Sequence, residues 1–188
     1  PKTIEIEFKQ AYQDEIRLEA GWNYFSVPNE LDPNYDQWGD LGLNSICDAS
    51  LAWMESTQSW MQPTASHVLT PMEGYWCKVS EATTVSAKPL NTSGVVYLPP
   101  VKDVYAGWND IGLSNRVEMK MEHALMSIDP IYTLALDWME DKQRFAPYAN
   151  TGEDGGGNSG DTTGTKTMEA GEAYLIWANN NGELVGLS

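Results

Sequence analysis

The chain has 188 residues and a formal charge of −16, from 27 acidic against 11 basic side chains. So few cations argue against nucleic acid or anionic lipid as a partner, because binding either depends on clustered Lys and Arg. An apolar content of 41% suffices for globular packing, and no run approaches the roughly 18 apolar residues of a membrane span, so no membrane insertion is expected.

Residues 3–8 alternate strictly and place Ile4, Ile6 and Phe8 on one face of a half-buried strand. Between Lys9 and Glu15 there is no Asn-Gly, Asp-Gly or Pro to make a tight hairpin, so this strand is expected to pair across a boundary, with the second half of the chain or a neighbouring subunit. Ile16 and Leu18 resume the alternation into Gly21-Trp22-Asn23, and a strand continues over 24–27. Asp32 followed by Pro33 has the form of an N-cap and first turn of a short helix, which Gly39 and Gly42 cut off. The same stretch sets oxygens at alternate positions, Asp32, Asn34, Asp36 and Asp40, as a calcium loop does, without the Gly at its sixth position or the carboxylate at its twelfth. Both readings fit. An apolar run over 51–54 and Tyr75–Val79 follow as strands. Cys47 and Cys77 form a disulfide if the compartment is oxidising and are two buried thiols otherwise.

The stretch 87–94 holds Pro89 and the sequon Asn91-Thr92-Ser93, so Asn91 is a glycan acceptor if the chain is secreted. Strands are then expected over 95–98, at Val104 and from Trp108 to Leu113. Asn115 with Glu118 three residues on suggests a capping box, and Val117, Met121, Ala124, Leu125 and Ile128 form one apolar stripe, which together predict a helix ending at Asp129-Pro130. Residues 131–139 and Ala173–Ala178 are further strands. Between them the glycine-rich stretch 151–164 has the character of a surface insertion, and its Glu153, Asp154, Asn158 and Asp161 form a second candidate calcium loop.

An internal repeat organises these elements. Gly-Trp-Asn occurs at 21 and 107, Leu-x-Ser-Ile at 43 and 125, and Trp-Met-Glu-x-x-Gln at 53 and 138. The series closes with Glu73-Gly74-Tyr75-Trp76 and Glu172-Ala173-Tyr174-Leu175. Words recurring in one order, with the last pair set further apart by the insertion, mean tandem modules, 1–90 and 91–188, the second carrying that insertion. The expected fold is mainly β: two internally duplicated, β-sandwich- or barrel-like lobes with short helices. The duplicated Trp22 and Trp108 are expected to be largely buried. Trp38, Trp60, Trp76 and Trp177 are not duplicated as Trp, and any that is exposed becomes a candidate for a subunit interface or for stacking on sugar.

Catalytic patterns are missing. His67 and His123 have no metal-site spacing, no Gly-x-Ser-x-Gly elbow is present, and choosing two carboxylates from so acidic a chain as a glycosidase pair would be arbitrary. The expectation is a non-enzymatic protein without a cofactor other than calcium.

The ordered words, a strand leading to Gly-Trp-Asn, a short helix, Trp before a polar turn and a second aromatic, then Gly74-Tyr75-Trp76 in a strand, resemble the repeated β-modules of archaeal cell-surface proteins, including S-layer and sheath-type envelope proteins of methanogens. The resemblance covers roughly residues 15–80 and 101–180. Met72 departs from it, standing where that family has Gly, as do Ala173 and Leu175 in the second copy. It implies an extracellular, non-catalytic structural module. The function expected is therefore a secreted subunit that self-assembles through sheet edges into a surface layer, sheath or filament, and the alternative is a carbohydrate-binding or adhesion module.

Overall fold

A computed structural model describes residues 14–90, 98–150 and 166–186. In the first copy the strands are β1 (Asp14–Leu18), β2 (Gly21–Phe25), β3 (Ala49–Met54), β4 (Ser59–Met61), β5 (Tyr75–Val79) and β6 (Thr83–Ala87), with one short helix, α1 (Leu43–Ile46). The second copy contains β7 (Val101–Val104), β8 (Gly107–Gly112), β9 (Met119–Lys120), α2 (Met121–Ala124), β10 (Tyr132–Met139), β11 (Arg144–Ala149), β12 (Thr167–Met168), β13 (Ala173–Ala178) and β14 (Gly182–Val185).

Each copy builds a four-stranded antiparallel sheet and a two-stranded ribbon. The first sheet runs β2-β5-β3-β4 and the second β8-β13-β10-β11; the ribbons are β1-β6 and β7-β14, and the second copy adds the short pair β9-β12. Strand for strand the two orders coincide, and Gly21 and Gly107 both start the edge strand of their sheet. The sheets are open and do not close into barrels.

Alternation along the strands gives both sheets two buried faces. Phe25, Tyr75, Cys77 and Val79 point into one core with Ile16, Leu18, Val85 and Ala87 of the first ribbon. On the second sheet Ile111, Tyr174 and Ile176 face a separate core with Val104 and Leu184 of the second ribbon. The opposite faces of the sheets meet in a third cluster, Tyr24, Trp76, Ala173 and Leu175, with Trp22, Trp108, Trp138 and Phe145 packed against it. The layers therefore run ribbon, core, sheet, shared core, sheet, core, ribbon, each sheet being sandwiched on both sides.

Two expectations need correcting. No helix spans Asn115 to Ile128: Met119 and Lys120 pair with Met168 and Thr167 as a strand, leaving a single turn, Met121–Ala124, and a 3-10 turn at Met126–Ile128. The Asn115 side chain accepts the Val117 N–H in a local turn, and Val117 is exposed. Nor does a helix begin at Asp32. Its carboxylate accepts the Asn34 N–H, Leu31 bridges to Pro89, and the first copy's helix is α1, which the Leu-x-Ser-Ile word marks. Trp22 and Trp108 pack against the shared core and keep partial exposure. Leu98 is exposed and outside any strand.

Candidate functional site

The repeated words meet at the junction of the two copies. In Gly-Trp-Asn the Asn ties down the turn before its strand. The Asn23 Oδ1 accepts the Glu19 N–H at 2.7 Å, and its Nδ2 donates to the carbonyls of Glu19 and Gly21 at 2.8 and 3.2 Å. Asn109 does the same with Tyr105 and Gly107. Both side chains are buried, so satisfying both ends of each amide removes a large desolvation cost.

The Gln of Trp-Met-Glu-x-x-Gln reaches into the other copy. Gln58 receives the Trp108 N–H on its Oε1 at 2.9 Å and donates from Nε2 to the Trp108 carbonyl at 2.8 Å. Gln143 treats Trp22 identically, at 2.8 and 2.9 Å. One side-chain amide thus replaces a neighbouring strand on the outer edges of β2 and β8. Each Gln ends a hairpin loop at φ near +50° and also donates to a loop carbonyl, Glu55 or Glu140, at 2.8 Å. The indole N–H of Trp53 donates to the same Trp108 carbonyl, and that of Trp138 to the Trp22 carbonyl, both at 2.9 Å. The glycine of Gly-Trp-Asn is required twice over. Gly21 and Gly107 have φ of 108° and 113°, and a Cβ at either would collide with the incoming Gln.

Further along the strands, Ser26 N–H donates to the Gly171 carbonyl and Gly112 N–H to that of Met72, at 2.9 and 3.1 Å. Met72 and Gly171 occupy matching positions, both with positive φ. Met72 buries its side chain in the second copy's core. Trp76 is the centre of the shared core, stacked on Tyr24 at 4.4 Å and edge-on to Trp138 at 4.9 Å.

Beside this junction lies a cavity of about 380 Å³, walled by the 52–56 and 67–75 segments of the first copy and by β7 and β8 of the second. A buried lysine stands in its wall. Lys102 Nζ lies 2.8 Å from Glu55, 3.1 Å from Asp110 and 4.0 Å from Glu73. Burial alone would depress the ammonium pKa, but Asp110, Glu55 and Glu73 together hold it above the ordinary lysine value. Burial pushes Asp110 well up, and a hydrogen bond to Glu55 adds to it. Burial acts on Glu55 too, but Asp110 and Lys102 overcome it and leave Glu55 below the usual range. The two neighbouring carboxyls are thus driven in opposite directions, Asp110 up and Glu55 down. His67, on the same wall, is pulled down by burial against the influence of Glu73, and its buried Nε2 has no hydrogen-bond partner among the described residues.

Chemically, a lysine held protonated is a poor nucleophile, while the wall offers carboxylates and one ammonium as polar contacts for a molecule in the cavity.

Of the residues marked from sequence, Cys47 and Cys77 are joined by a disulfide with Cα atoms 5.3 Å apart. Asp32 binds Lys88 at 2.7 Å as well as Asn34, which hold its carboxyl down at about 2. Asp40 accepts the Gln37 N–H, and the Asp36 carbonyl accepts the Leu69 N–H. Among the described residues no three His, Cys, Asp or Glu side chains are grouped as a metal would require. Ile4, Ile6, Phe8, Asn91, Glu153, Asp154, Asn158 and Asp161 lie outside the described residues. Trp38 and Trp76 are buried, whereas Trp60 and Trp177 are 46% and 40% exposed. Sequence reasoning missed Lys102 and Asp110, yet a signal existed: at the matching places of the first copy stand Ile16 and Tyr24.

Compared with known proteins, the chain matches no family model, no curated protein and no solved structure.

Proposed function

We propose that this chain is a secreted structural subunit that self-assembles into a surface layer, sheath or filament. One observation carries the reading: the duplicated words are used to clasp one copy to the other, so what the repeat preserves is a rigid two-lobed block. The clasp also seals the outer edges of β2 and β8 with side chains, which directs any edge-to-edge pairing to the remaining strands. Strand β1 pairs only with β6 among the described strands and follows shortly after the alternating segment of Ile4, Ile6 and Phe8, which supports recruitment of that segment by a neighbouring subunit. The Cys47–Cys77 disulfide favours an oxidising, extracellular setting. Electron microscopy of the full chain across ionic conditions should show polymer, and deletion of residues 1–10 should abolish it. Monodisperse monomer under every condition would overturn the proposal.

A second reading, a carbohydrate-binding or adhesion module, is favoured by the exposed Trp60 and Trp177. Trp60 packs edge-on to Trp53 and Trp177 edge-on to Trp108, so the four indoles form a band across the boundary between copies, with a rigid, exposed ring at each end. Glycan-array binding that is lost in W60A and W177A would promote this reading, and a blank array would retire it.

A further inference from the structure

We infer that the cavity at Lys102 is a binding site for a small organic cation, a primary amine or guanidinium on a short apolar stem. The two copies provide an internal control. On one backbone plan the first copy places Ile16 and Tyr24 where the second places Lys102 and Asp110, and all four are buried. At these two places the fold therefore accepts Ile and Tyr, packed in separate clusters, and a buried lysine with two carboxylates is a costly replacement. Across the same junction the second copy sets Asp137 and Lys166, an ion pair at 2.7 Å, where the first has Ala52 and His67 on the cavity wall. Both differences fall on one place: the first introduces buried charge, and the second leaves Ala52 and His67 where the other copy has an ion pair.

Charge selects the ligand. Among the residues that line the cavity, four carboxyls, Glu55, Glu73, Asp103 and Asp110, stand against one ammonium, Lys102, so the wall is net negative even with one carboxyl protonated. An anion is repelled, and a cation gains on entry. Glu73 is the accessible acceptor: one oxygen takes the Tyr75 O–H at 2.9 Å, while the other is 4.0 Å from Lys102. Trp53, Met54 and Val101 provide apolar surface for a stem, and the volume suits a molecule of amino-acid or monosaccharide size.

The test is titration of the full chain with n-butylamine and n-butylguanidine hydrochlorides, followed by indole and imidazole NMR shifts and by calorimetry. n-Butanol and n-butylurea serve as uncharged matches. The expected result is saturable binding of one or both cations with shifts at Trp53 and His67, at least tenfold tighter than either uncharged match and weakened by 1 M salt. Because Glu73→Gln keeps an acceptor for Tyr75, E73Q combined with D103N should lose tenfold or more in affinity at an unchanged melting temperature. Absence of saturation with both cations, equal binding of the uncharged matches, or undiminished affinity in the double variant would each overturn the inference. The readout is taken in solution and does not depend on whether the chain polymerises.

Discussion

At the scale of single residues, Gln58 and Gln143 should matter more than any other polar side chain on the surface. Each makes three hydrogen bonds, and truncation leaves a backbone N–H of the other copy without its partner. Q58A or Q143A should cost about 1–3 kcal/mol in urea denaturation, whereas E15A, at an exposed site, should cost almost nothing. Equal effects would show that the amide is an incidental contact. A second residue-scale prediction concerns Glu172. Burial raises its carboxyl, against the hydrogen bond from Tyr174, and with Glu169, Asp137 and Glu140 adding to the rise it reaches about 7 from an ordinary value of 4.5. The folded state thus binds this proton more tightly than the unfolded one. The resulting stability is present in full below about pH 4.5 and is lost as pH rises to about 7. E172Q keeps an acceptor for the tyrosine and should be more stable than the parent by about 2 kcal/mol at pH 8, with no gain at pH 4. A pH-independent difference would refute this assignment.

At the scale of elements, the disulfide joins the end of α1 to the middle of β5, and Cys77 is wholly buried. The second copy has Ile176 at the place of Cys77 and keeps the same strand order without a bridge. The bond is therefore an addition to an already sufficient core. Reduction with dithiothreitol should lower stability by about 3 kcal/mol through the freed unfolded chain, without loss of the β circular-dichroism signal. Collapse of that signal would mean that the first core depends on the bridge. The hairpin loops ending in Gln58 and Gln143 are elements of the same kind: their left-handed final residue aims a side chain at a strand distant in sequence.

For the whole molecule, the shared core makes the two copies interdependent. Tyr24 and Trp76 are covered by the second copy, and Met72 fills part of its core. A fragment of residues 1–90 should therefore bind a hydrophobic dye and unfold without a sharp transition, while the full chain melts in a single step. A fragment that melts as sharply as the full chain, without dye binding, would show that each lobe is autonomous and that the clasp only docks them.

The strands were legible because their signals are local. Tyr75–Val79 and Ala173–Ala178 are apolar, β-branched and aromatic runs that no helix period fits, and the repeat itself announced two similar lobes. The predicted helix from Asn115 failed because its stripe suits a short buried turn equally well. What claimed Met119 and Lys120 was pairing with Thr167 and Met168, beyond the insertion and invisible to any local window. The duplicated words were readable as words, but not as a grip, since Gln58 acquires its meaning only when Trp108 is beside it. Lys102 is the clearest case. Within Val101–Val104 it looks like an ordinary strand lysine, and burial among Glu55, Glu73 and Asp110 is imposed by three segments that only the folded chain brings together. Sequence alone determined where the chain is extended and that it is doubled, because alternation and repetition are properties of neighbours along the chain. Tertiary structure decided which charges are buried and where they line a cavity, because desolvation depends on what lies across space.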